Sequence, residues 1–183
     1  GLRLRRLPGR LPDLDRAPEQ LVAELTLLLD LEPRGGDRYI GRRQPDADGR
    51  VFGGQAIAQA LGAARRTVPD SRTANSLHAY FLRAGTDKEP IEFRVKRDLD
   101  GNSFSNRRVV ASQMGQPILN LLVSFQEPQD GPTHQHAQMP DVPPPEELVS
   151  DAEIRRHVAG QMPEGLAKQF MIRSRPIDFR SVE

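Results

Sequence analysis

The chain has 183 residues, enough for one domain with appendages, and its 26 basic against 25 acidic side chains leave a net charge of +1. That balance gives no electrostatic case for nucleic acid as a partner. There is no cysteine, hence no disulfide framework, thiolate nucleophile or cysteine metal site, and no apolar run approaches the ~20 residues of a membrane span. The N-terminus also lacks the apolar core of a signal peptide, so a cytoplasmic chain is expected.

Residues 1–17 read as a flexible basic arm carrying Arg3, Arg5, Arg6 and Arg10. Pro18 sits where a helix accepts its first residue, and Leu21, Val22, Leu25, Leu28 and Leu29 follow at helical spacing, which predicts a helix over about 18–30. Pro33 and Gly35-Gly36 are expected to stop it, with a short strand over Arg38–Arg43 and a polar loop over 45–49. Gly53-Gly54 opens a second helix, about 54–67, made largely of small residues: Ala56, Ala58, Ala60, Gly62, Ala63 and Ala64. Small side chains on several faces let other backbone come close, so this helix should be wrapped by its surroundings.

Four strand-like stretches come next. Ser76–Arg83 is the first, and Ile91–Arg97 alternates Ile91, Phe93 and Val95 against Glu92, Arg94 and Lys96. Asp100-Gly101 leads into Phe104–Ser112, and Gly115-Gln116 into Ile118–Gln126. The expected architecture is α+β, a central helix followed by an antiparallel meander. Prolines and glycines between 127 and 149 mark a linker, and Ser150 with Glu153 three positions on resembles a capping box opening a short helix over 150–161. Alternation returns from Ile172 to Val182.

The groups able to do chemistry are few. His134 and His136 lie in the proline-rich linker with no carboxylate or cysteine support at a useful spacing, so no metal site is assigned. His157 sits among charged residues, as on a solvated helix face. His78 shares a strand face with Tyr80 and Leu82 and is either a structural histidine of the sheet or part of a substrate site. No Gly-x-Ser-x-Gly nucleophile elbow, phosphate-binding loop or dinucleotide fingerprint occurs. Gly53-Gly54-Gln55 is the one glycine-led helix start: a tight strand-to-helix junction, or a set of backbone N–H groups able to hold a carbonyl oxygen or phosphate.

Several blocks together resemble the acyl-CoA thioesterase II family. They are Val51–Leu61, with Phe52-Gly53-Gly54-Gln55 at its start; Ser76–Gly85; Asp100–Val109; Ser124-Phe125-Gln126; and the linker run Met139–Leu148. They stand in family order across about residues 21–183. The resemblance implies a hotdog fold, an antiparallel sheet wrapped around a long central helix. It also implies hydrolysis of acyl-CoA to free fatty acid and coenzyme A, with no cofactor. In that family two hotdogs lie in tandem, and an Asp, a Thr or Ser, and a Gln of the second activate water.

On this basis residues 18–126 are expected to be the N-terminal hotdog, 127–169 a linker with a short helix, and 170–183 the opening strand of a second hotdog that is otherwise absent. No catalytic residue is therefore assigned within this chain. The resemblance makes Gly53, Gly54, Gln55, His78 and Gln126 the candidate substrate-binding residues. The expected partners are acyl-CoA and either a C-terminal hotdog half or a second copy of the chain, with a non-catalytic acyl-CoA-binding module as the alternative.

Overall fold

The computed structural model describes residues 17–44, 49–161 and 176–182, in two units: Leu25–Thr133, and Gly1–Glu24 with His134–Glu183. The basic arm through residue 16 lies outside the described residues.

Helix α1 spans Pro18–Leu29, with Leu21, Leu25, Leu28 and Leu29 along its half-buried stripe. Strands β1, Leu31–Gly35, and β2, Arg38–Gly41, follow as a hairpin. The sequence reading treats Pro33 and Gly35-Gly36 as breakers and so omits β1. β1 is an edge strand, where a proline costs no ladder bond, and Gly36 and Asp37 supply the two positive φ values, 58° and 56°, of a two-residue hairpin turn. Asp37 is then held by a two-point ion pair from Arg97, at 2.7 and 2.9 Å, which draws its carboxyl below the usual carboxylate range.

Helix α2 runs Gly53–Arg65 and buries Gln55, Ala56, Gln59, Ala60, Ala63 and Ala64. Strands β3, Thr73–Phe81, β4, Ile91–Asp100, β5, Phe104–Gln113, and β6, Gln116–Gln126, complete a six-stranded antiparallel sheet in the order β1-β2-β4-β5-β6-β3. Only β4, β5 and β6 form a meander. β3 crosses to the far edge and pairs with β6, so the four strands are neighbours as expected but in the order β4-β5-β6-β3, which corrects the expected four-strand meander. The turn into β6 is Met114-Gly115, both at positive φ, one residue earlier than the sequence placed it.

Against α2 lie the inner side chains of the sheet: Phe93, Val95, Val109, Ala111, Leu119, Leu121, Val123 and Phe125, all buried. Burying each large side chain contributes about 1.5–3 kcal/mol, and the alanines of α2 let the helix sink among them. The wrapped helix read from the sequence is therefore what the packing holds.

In the other unit, α3 spans Asp151–Gln161 and opens with the expected capping box: Glu153 N–H donates to Ser150 Oγ at 3.2 Å, and Ser150 N–H to the Glu153 carboxylate at 3.3 Å. The linker carries one 3-10 turn, Pro145–Glu147. Residues 176–182 form no strand: Phe179 O accepts the Asp151 N–H at 2.8 Å, and Arg180 donates to Pro145 O and Leu148 O at 2.7 and 2.8 Å. The remainder of the expected opening strand, 170–175, lies outside the described residues. Among the described residues no helix is long and apolar enough to cross a membrane.

Candidate functional site

The start of α2 has no side-chain cap. Phe52 occupies the N-cap position with extended backbone, and the first helical bond runs from Ala56 N–H to Phe52 O at 3.2 Å. The amides of Gly53, Gly54 and Gln55 thus have no intrahelical acceptor, and the positive end of the helix dipole lies there.

Beside this first turn opens a groove of about 450 Å³, lined by Val51, Gly53, Ala56, Phe81 to Gly85, Ile118 and Leu119. Its size suits a small-molecule segment, and its wall is apolar apart from Arg83, whose guanidinium donates to Pro117 O at 2.8 Å. Gly53 forms part of the floor: a Cβ there would lie 2.9 Å from Phe81 Cζ. Gly54 sits under the Phe52 ring, which is 71% exposed.

The candidate polar residues do not converge on one point. Gln55 is buried, and its amide donates to Arg42 O at 3.2 Å; Gln59, one turn on, donates to the same oxygen at 3.0 Å and to Leu28 O at 2.6 Å. Both side chains fasten the chain that enters α2, and Gln55 borders only a small recess with Arg42, Asp87 and Glu89. His78 and Gln126 lie on the other face of the sheet. Leu77, Ala79 and Phe81 pair with Val123, Leu121 and Leu119, so alternation turns His78 and Tyr80 outward, and Gln126 projects with Asn120, Leu122 and Ser124.

His78 is exposed, with its ring 4.6 Å from that of Tyr80 and its backbone opposite Leu122. Gln126 accepts from Asn75 Nδ2 at 3.0 Å and stands seven residues along β6 from groove-lining Leu119, roughly 23 Å at a strand's rise. Of the candidate substrate-binding residues, Gln55, His78 and Gln126 are therefore not brought together, because helix start and outer sheet face are separated by the sheet itself. His134 and His136 stack at 6.5 Å, and among the described residues no group of three ligands is placed to hold a metal.

What sequence reasoning missed is the groove's other wall, Leu82 to Gly85 with Ile118. Leu82 and Arg83 both donate backbone bonds to Ile118 O, at 2.9 and 3.3 Å, which bends the chain out of β3 beside α2. The apolar Ala79–Leu82 run ending at Ala84-Gly85 was its only sequence signal.

An antiparallel sheet wrapped on a buried helix, with an open groove at that helix's first turn, defines a hotdog domain. The family described as "Acyl-CoA thioesterase N-terminal domain" matches residues 42–126, and through that domain the chain is similar to the acyl-CoA thioesterases. It is 45% identical to human acyl-coenzyme A thioesterase 8 over 125 residues, which are 68% of this chain and 39% of that protein. Acyl-CoA thioesterase 2 of Haemophilus influenzae is 38% identical over 160 residues, 87% of this chain and 53% of the other. The solved tesB protein of Mycobacterium avium subsp. paratuberculosis superposes with a TM-score of 0.62 at 36% identity, covering 70% of this chain and 50% of that one. The chain thus spans about half or less of the length of these relatives.

Proposed function

We propose that the groove beside Gly53–Gln55 receives the acyl thioester of an acyl-CoA, and that the chain supplies one half of a hydrolase releasing fatty acid and coenzyme A. The observation that carries this is the apolar groove of about 450 Å³ set against an uncapped helix start. Its wall suits an acyl chain, and the free amides of Gly53, Gly54 and Gln55 suit the thioester oxygen as negative charge builds on it. His78 and Gln126, on the outer face, take no part in this groove. A cytoplasmic site of action belongs to the same reading, since a chain without cysteine gains nothing from an oxidising compartment.

One observation favours the second reading, a module that binds acyl-CoA without hydrolysing it. No carboxylate or imidazole lines the groove among the described residues. The two readings agree that this groove itself supplies no water-activating base. Coenzyme A release from medium- and long-chain acyl-CoA, with the chain alone and then with a C-terminal hotdog half added, separates them. Turnover alone is expected to be roughly 10²–10⁴ below that of the reconstituted pair, the usual contribution of general acid–base catalysis. Equal turnover without the second half would sink the half-enzyme reading, and binding with no turnover in either case would establish the module.

The partner docks, on this proposal, along β3. That strand is an edge with an unpaired ladder, and its inner-face side chains Leu77 and Phe81 are 43% and 58% exposed beyond α2. Sedimentation of the purified chain is expected to give a dimer or larger species. A monomer at micromolar concentration would rule the interface out.

A further inference from the structure

The groove is shaped by a residue that does not line it. Gln113 closes the core-facing row of β5 and is only 3% exposed. Its side-chain amide donates to Thr86 O at 2.8 Å and Glu89 O at 2.7 Å, and its carbonyl accepts the Thr86 N–H at 2.8 Å. Three bonds from one buried side chain fix the loop that follows the groove wall.

The loop in turn reaches the start of α2. Gly85 O accepts the Val51 N–H at 3.0 Å, and Asp87 accepts the Gly49 N–H at 2.9 Å. Arg43 donates to Lys88 O at 2.8 Å. Gly85 is packed so closely that an added Cβ would lie 3.1 Å from Gln113 Oε1, 3.1 Å from Ile118 Cδ1 and 3.2 Å from Val51 Cβ. Val51 precedes the N-cap Phe52, and Val51 and Gly85 both line the groove.

We propose that Gln113 is a positioning residue for ligand binding at the α2 start, acting through the 84–89 loop to hold Val51 and so the free amides of Gly53–Gln55 in register with the groove wall. The inference rests on the groove being the acyl-thioester site. A side chain locked by burial and by three bonds is the kind of support such a site needs, since a displacement of about 1 Å at the amides is enough to lose them as donors to a bound oxygen. Gln113 touches no ligand itself; it meets only the loop.

The test uses the full chain with Gln113→Glu, which keeps the acceptor but turns an oxygen toward two carbonyls, and Gln113→Met, which keeps the volume without charge or hydrogen bonds. Exposed Gln116→Glu serves as the control. Amide hydrogen exchange is read over 49–56 and 82–90, together with affinity for a non-hydrolysable medium-chain 2-oxoalkyl-CoA, a thioether that keeps a carbonyl oxygen for the amides. Exchange in those two segments is expected to quicken by about tenfold or more, while Ala60–Arg65 of α2 and the β5–β6 pairing keep their protection. Affinity should fall by about tenfold in both variants and stay unchanged in the control. A uniform rise in exchange across the domain, or none at 49–56, would overturn the positioning role. If the unaltered chain fails to bind the thioether, the acyl-thioester reading falls, and the exchange result still decides whether Gln113 holds the α2 start.

Discussion

Replacing Arg107 by methionine is expected to cost the fold at least about 1–3 kcal/mol, the penalty for leaving a buried acceptor such as Thr67 O without its donor. The Arg107 side chain is 1% exposed, and its guanidinium spends its donors on five acceptors: Thr67 Oγ1 and O at 2.8 and 3.0 Å, Leu99 O at 2.8 Å, Asn106 O at 2.9 Å and Asp100 at 2.5 Å. It ties the end of α2 to both strands of the β4–β5 hairpin. Lysine in its place should recover little, because one ammonium cannot span partners spread across the plane of the guanidinium. Urea unfolding reads the cost, and a loss below about 1 kcal/mol would show that the pocket collapses around the gap.

The same network sets an acid response. Arg107 and then Ser105 hold the Asp100 carboxyl below its ordinary value, as Arg97 does for Asp37. A carboxylate with a depressed folded pKa adds stability that is complete above the unfolded value, near 3.9, and is lost as pH falls through the folded one. Stability should therefore hold from neutral pH and decline below about pH 4, less steeply in Arg107→Met, where Asp100 has lost its partner.

Arg107 also shows how far alternation can be read. Val109 and Ala111 are evident core residues, and continuing their row in both directions lands on Arg107 and Ser105 at one end and Gln113 at the other, all buried. Arg108, one residue away, points outward with a half-exposed side chain. Residue type hides this difference and strand parity reveals it. The helix wrapped by a sheet was legible for the same reason, since small residues at helical spacing have few other uses. The β1–β2 hairpin was not, because proline and paired glycines mark an interior break and an edge hairpin alike, and only pairing to β4 decides. Nor could linear order show that Gln55 and His78 face opposite sides of the sheet. That follows from β3 pairing with β6, a contact across some fifty residues that no local pattern records.

Gly53→Ala should separate stability from ligand binding more cleanly than any other substitution in the groove. The added Cβ meets the far end of the Phe81 ring, 2.9 Å from Cζ and 3.2 Å from Cε1, and that ring is 58% exposed and able to swing aside. Alanine also gains up to about 1 kcal/mol over glycine in helix propensity, so the unfolding midpoint should hardly move. The ring already lines the groove, so a swing to that side narrows it. Affinity for a medium-chain 2-oxoalkyl-CoA thioether, which keeps a carbonyl oxygen, is therefore expected to drop roughly 10–100-fold, equivalent to about 1.4–2.7 kcal/mol. The double variant Gly53→Ala/Phe81→Leu should recover most of that loss, because the shorter side chain removes the clash while keeping the wall apolar. Such recovery is the non-additivity expected of two residues in contact. If the double variant binds no better than Gly53→Ala, the damage lies instead in the amides of the first turn, which makes the helix start, not the groove volume, the determinant of binding.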